Sequence, residues 1–142
     1  MNTDLINEIK TIFIEKFKTA PFLIFSPGRI NIIGEHTDYN DGFVFPAAID
    51  KGIVAAIQKS NSDLCSIFAF DKNETYKFSL ENIQPLSNGG WRSYILGVVS
   101  EIQKKGINLE PFNIVFGGDI PGGAGLSSSA ALENSVVFGL NE

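Results

Sequence analysis

The stretch from residue 112 to residue 140 constrains the fold more than any other. Residues 112–116 form a short apolar run, 117–125 are rich in glycine, and 126–140 have the composition of a helix. A strand that feeds a helix through a glycine turn sets the helix N-terminus beside the strand end. There the first N–H groups lack internal partners and the helix dipole favours negative charge. Gly122, Gly123 and Gly125 let the backbone approach an anion, and Ser127, Ser128 and Ser129 add hydroxyls for hydrogen bonds or a Mg²⁺ contact. No Lys-Ser or Lys-Thr follows, so this is not a Walker A loop. The spacing also departs from G-x-G-x-x-G, since Ser128 stands where the third glycine belongs. The same composition suits a tight strand-to-helix turn with serine caps.

A second segment, 27–42, gathers Arg29, Glu35, Asp38 and the only histidine, His36, around an apolar step of Ile30, Ile32 and Ile33. Arg29 suits a phosphate clamp or a surface ion pair. Glu35 and Asp38 suit paired sugar hydroxyls or turn chemistry. One histidine and one cysteine, Cys65, make a zinc site or an internal disulfide unworkable. A Ser-His-Asp hydrolase would want a G-x-S-x-G elbow, which is absent. A glycosidase built on Glu35 and Asp38 would leave the glycine-rich loop without a purpose.

Elsewhere the periodicity predicts a helix over 3–19, capped by Thr3 or Asp4, with Leu5, Ile9, Ile12, Phe13 and Phe17 inward and Pro21 ending it. Strands are predicted at 22–25 and 30–33 around a turn at 26–28. Residues 42–49, broken by Pro46, read as an extended connection. Further strands are predicted at 53–58, 64–70 and 75–80, and a helix at 91–104 stopped by Gly106. The last helix runs to Glu142 without a stop signal, which reads as a truncated or partial chain with Val136, Val137 and Leu140 exposed for absent neighbours.

With 142 residues, 44% of them hydrophobic, the chain is long enough for one domain with a real core. No linker divides it. The net charge of −5 argues against non-specific nucleic-acid binding, though one nucleotide in a local pocket is compatible with it. With no signal peptide and no long apolar run, the expected location is the cytoplasm.

Taken together, Gly28-Arg29-Ile30-Asn31-Ile32-Ile33-Gly34-Glu35-His36-Thr37-Asp38-Tyr39 and residues 121–131 resemble the galactokinase family. That family lies within the superfamily of galacto-, homoserine, mevalonate and phosphomevalonate (GHMP) kinases. The resemblance implies an α+β fold, with this chain as an incomplete N-terminal GHMP kinase domain of mixed sheet and helices. A C-terminal domain would close over the cleft. It implies ATP and Mg²⁺ as cofactors, galactose as the sugar, and a monomer acting without nucleic acid or membrane. Arg29 would lie near the transferred phosphate, and Glu35, His36 and Asp38 would bind galactose hydroxyls. Gly122, Gly123, Ala124, Gly125, Leu126, Ser127, Ser128 and Ser129 would cradle the ATP phosphates, with Ser128 or Ser129 on Mg²⁺. Trp91 and Tyr94 would lie near adenine, although their spacing equally suits core packing. Asp41 and Gly42 would shape the sugar loop. The family's catalytic aspartate, its acidic Mg²⁺ ligand and its third motif fall after the ATP motif, beyond Glu142, so residues 1–142 alone are expected to be inactive. A galactose-binding sensor without turnover, or a kinase for N-acetylgalactosamine or arabinose, shares most of these residues. The Ser129-Ala130 step favours the enzyme over the sensor.

Overall fold

The computed structural model describes residues 2–34, 36–121 and 125–142, and Asp38 by its backbone alone. The elements, in chain order, are α1 (Thr3–Phe17), β1 (Phe22–Ile33), a 3-10 turn (Asp38–Asn40), β2 (Phe45–Lys59) and β3 (Cys65–Ala69). A second 3-10 turn (Phe70–Lys72), β4 (Glu74–Phe78), α2 (Trp91–Lys104), β5 (Phe112–Gly118) and α3 (Ser128–Asn141) follow. The strands form one mixed sheet in the order β1-β2-β5-β3-β4. Only the β3–β5 pair is parallel. This is a mixed α+β architecture, the class expected from the sequence.

Both sheet faces are covered, which explains why β2 reads Ile53-Val54-Ala55-Ala56-Ile57 without polar alternation. Val54 and Ala56 pack with Leu5, Ile9 and Phe13 of α1. Ile53, Ala55 and Ile57 pack with Ile95 and Val99 of α2 and with Leu132 and Val136 of α3. Gly139 lets α3 settle onto the sheet, since a Cβ there would lie 2.9 Å from Ile24 and Ile57 side-chain carbons.

Several expectations change. Asn2, not Thr3 or Asp4, caps α1, accepting from the Leu5 N–H at 3.2 Å. The helix ends at Lys18 in the left-handed region, before Pro21 is reached. The expected turn at 26–28 lies inside one continuous strand. β1 is an edge strand, so Pro27 forfeits no ladder bond that the sheet needs. Of two irregularities, the larger falls on β2, where residues 49–51 stand against Gly28 alone, and the other leaves Ile32 of β1 without a partner residue. Residues 45–49 are also strand, because β5 pairs β2 only from Ile53 to Lys59 and Pro46 meets β1 alone. Val136 is fully buried, while Val137 is 45% exposed. No helix among the described residues is long and apolar enough to cross a membrane.

Candidate functional site

Thr37 organises the 34–43 loop. Its single hydroxyl proton is shared between the carbonyl oxygens of Gly34 at 3.1 Å and Phe43 at 2.9 Å. Its own carbonyl accepts the N–H groups of Asn40 at 3.0 Å and Gly42 at 2.9 Å. Both flanking glycines are required by close approach. A Cβ on Gly34, whose φ is +102°, would meet the Phe43 carbonyl oxygen at 2.5 Å, and one on Gly42 would meet Thr37 Cβ at the same distance. Asp41, at φ +56°, turns the chain out of the 3-10 helix, so Asp41 and Gly42 shape the loop as expected. The knot presents His36 to solvent, its Nδ1 3.0 Å from the Tyr39 hydroxyl and its carbonyl accepting from Asn40. Thr37 and Tyr39 were visible in the sequence only as members of the segment. The signal for Thr37 was a hydroxyl between two glycines.

The glycine-rich loop returns to this segment. The Arg29 N–H donates to the Leu126 carbonyl at 3.1 Å, and a Cβ on Gly28 would lie 2.9 Å from that oxygen. The two stretches singled out in the sequence are thus stitched together. The Arg29 side chain is exposed and makes no ion pair among the described residues. A second clasp fixes the strand end below the loop: Asp119 Oδ1 accepts from the Gly52 N–H at 2.9 Å, and the Asp119 N–H returns to the Gly52 carbonyl.

At the other side of the loop, Gly125 and Ser127 take positive φ, +67° and +56°. Ser127 accepts the Ala131 N–H at 3.0 Å but makes no side-chain cap, and the first turn of α3 carries no acid. The N–H groups of Ser128, Ser129 and Ala130 therefore have no intrahelical partner and no competing carboxylate. This end suits an anion, and the hydroxyls of Ser128 and Ser129 are hard oxygen donors of the kind Mg²⁺ takes. No group of three His, Cys, Asp or Glu that could hold a metal occurs among the described residues. Glu35, Gly122, Gly123, Ala124 and the Asp38 side chain lie outside the described residues.

Trp91 opens α2 and is buried. Its indole N–H donates to Glu74 Oε2 at 3.0 Å, an oxygen that also accepts from Arg92 Nη2. Its ring packs edge-on to Phe116, two residues before the end of β5, so α2 begins at the loop's end of the sheet. Tyr94, one turn on, is 42% exposed.

Two family models match. Residues 11–59 fit the galactokinase galactose-binding signature, and residues 93–142 fit the GHMP kinases N terminal domain. A galactokinase from Roseiflexus sp. is 42% identical over 132 residues, 92% of this chain and 34% of that protein. One from Haemophilus influenzae is 43% identical over 92% of this chain and 35% of its own length. The chain thus spans about a third of the curated relatives it matches. Among solved structures, Lactococcus lactis galactokinase complexed with galactose superposes with a TM-score of 0.84 at 33% identity, covering 92% of this chain and 35% of that one. Methanococcus jannaschii mevalonate kinase, at TM-score 0.73 and 22% identity over 87% of this chain and 40% of its own, shares the fold.

Proposed function

Since the chain belongs to the galactokinase family of GHMP kinases, we propose that it supplies the sugar-holding and phosphate-holding half of a galactokinase site. The reaction moves the γ-phosphoryl group of MgATP to the C1 hydroxyl of galactose. The hydroxyl oxygen bonds to phosphorus, the bond from phosphorus to the bridging oxygen breaks, ADP leaves, and the hydroxyl proton is released. Catalysis rests on alignment and charge stabilisation, with no covalent intermediate. The Arg29–Leu126 hydrogen bond carries the reading, because it sets a sugar-type segment against an anion-type loop.

Glu35, His36 and Asp38 hold sugar hydroxyls, His36 through Nε2 while Tyr39 occupies Nδ1. Arg29 steadies the charge on the transferred group. Gly122 to Ser129 hold the phosphates, and Ser128 or Ser129 gives Mg²⁺ a hydroxyl oxygen. Adenine lies toward Trp91 and Tyr94 at the start of α2. With its indole committed to Glu74 and Phe116, Trp91 serves as the wall behind Tyr94. Galactose in the Lactococcus lactis complex supports the choice of sugar. The protein works as a cytoplasmic monomer.

The test is a sugar-phosphate assay on the whole gene product with MgATP and galactose. Galactose 1-phosphate is expected. Arg29→Ala lowers kcat by about 10²–10³, the usual cost of one charge-stabilising donor, with little change in galactose KM. Binding of both substrates with no sugar phosphate formed overturns the proposal.

A further inference from the structure

A second ligand site lies at the far end of the sheet. Strand register sets Gln58, Asn113, Ser66 and Lys77 in one transverse row across β2, β5, β3 and β4. The row shares the α1 face with Ala56, Val115 and Phe68, which α1 covers. α1 ends at Phe17, and beyond it a cavity of about 370 Å³ opens over Asn113 and Ser66. Asn113 is 7% exposed and Ser66 9%. Buried amides and hydroxyls are ordinarily satisfied within the protein. Neither of these side chains has a hydrogen-bond partner among the described residues, yet no polar side-chain atom sealed from solvent lacks one. Their polar ends therefore open into the cavity they line.

The charge around the cavity is one-sided. Lys16, Lys59 and Lys77 line it and no carboxylate does, in a chain of net charge −5. Lys16 reaches across the Phe68 ring and Lys59 pairs with Glu110, while Lys77 makes no ion pair among the described residues. The C-terminus of α1 opposes an anion with only about half a charge.

We propose that this cavity binds a tetrahedral oxyanion of the phosphate class. The Asn113 amide and Ser66 hydroxyl donate from its floor and Lys77 closes it from β4. It is separate from the loop before α3, since Asn113 and Gly118 mark opposite ends of β5, about 17 Å apart at the usual strand rise.

The experiment is a titration of the 142-residue chain with inorganic phosphate and with glycerol 3-phosphate at constant ionic strength, followed by residue-resolved ¹H–¹⁵N spectra. Saturable shifts are expected at the Asn113 side-chain amide and the backbone of 60–66. Lys77→Met, an exposed position, should raise the dissociation constant about tenfold, the loss of one hydrogen bond to a charged group. Phosphate held at the start of α3 would instead shift 127–130 and ignore that substitution. Tighter binding of glycerol 3-phosphate than of phosphate assigns the site to phosphomonoesters, and equal binding to the bare group. Shifts that never saturate, that chloride reproduces, or that Lys77→Met leaves unchanged overturn the proposal.

Discussion

Thr37 holds the shape of the 34–43 loop through one hydroxyl and one carbonyl. Valine is close in volume but cannot donate, so Thr37→Val takes the hydroxyl from the Phe43 carbonyl, while the Gly34 carbonyl keeps the N–H of residue 37. Because the loop is exposed, water repairs most of the thermodynamic loss, and stability should fall by only about 0.5–1.5 kcal/mol. Binding should suffer more, because His36 is aimed by the same knot. The expected outcome is a nearly unchanged thermal melt with galactose affinity in the whole protein weakened about tenfold, a 1.4 kcal/mol effect. Equal affinity by calorimetry would show that Thr37 does not position the site.

At the element scale, the merger of two expected strands into β1 is what brings the site together. A turn at 26–28 would have carried Arg29 away from β2, whereas a continuous edge strand runs it beneath Leu126. Gly28 makes this possible by absence of bulk, not by unusual φ. A methyl there would press on Leu126 O at 2.9 Å and Ile120 Cδ1 at 3.1 Å. Gly28→Ala should therefore cost about 1–3 kcal/mol, as overpacking does, and, on the proposed function, weaken nucleotide more than galactose, since the turn at Leu126 is what must lift. Denaturant melts and separate binding titrations check both parts. The bounds of α2 were legible to the residue because its apolar period and Gly106 stop agree. β1 and β2 were not, because Pro27 and Pro46 break a strand reading unless one knows which edges are unpaired. The polar residues of the site were legible as a group. Their joining through a backbone bond was not, since every residue type offers the same N–H and C=O.

For the whole molecule, the core above the sheet includes Cys65, fully buried. Burial pushes its thiol up to about 11 from the ordinary 9.0, against a smaller lowering by a backbone hydrogen bond at Phe112. Below pH 9 the thiol is protonated in both folded and unfolded chains, and its contribution to stability is complete. Between pH 9 and 11 the unfolded chain ionises while the folded one does not, so stability falls as pH rises. The loss attributable to this thiol is of order 2–3 kcal/mol across that window. Urea melts of the native chain and Cys65→Ala at pH 8, 9 and 10 should draw together as pH rises, and parallel curves would exclude the effect.

The hydrogen bond between Arg29 and Leu126 gives the two proposed substrate sites a direct route for coupling, whichever substrate arrives first. In the proposed site, a ligand that orders β1 around Arg29 would lower the entropic cost of ordering the turn at Leu126 for the other, through a single shared peptide contact. If nucleotide tightens galactose by some factor, galactose must tighten nucleotide by the same factor, because both measure one coupling free energy. A short backbone bridge of this kind would make the two halves of the proposed site thermodynamic partners before any chemistry begins.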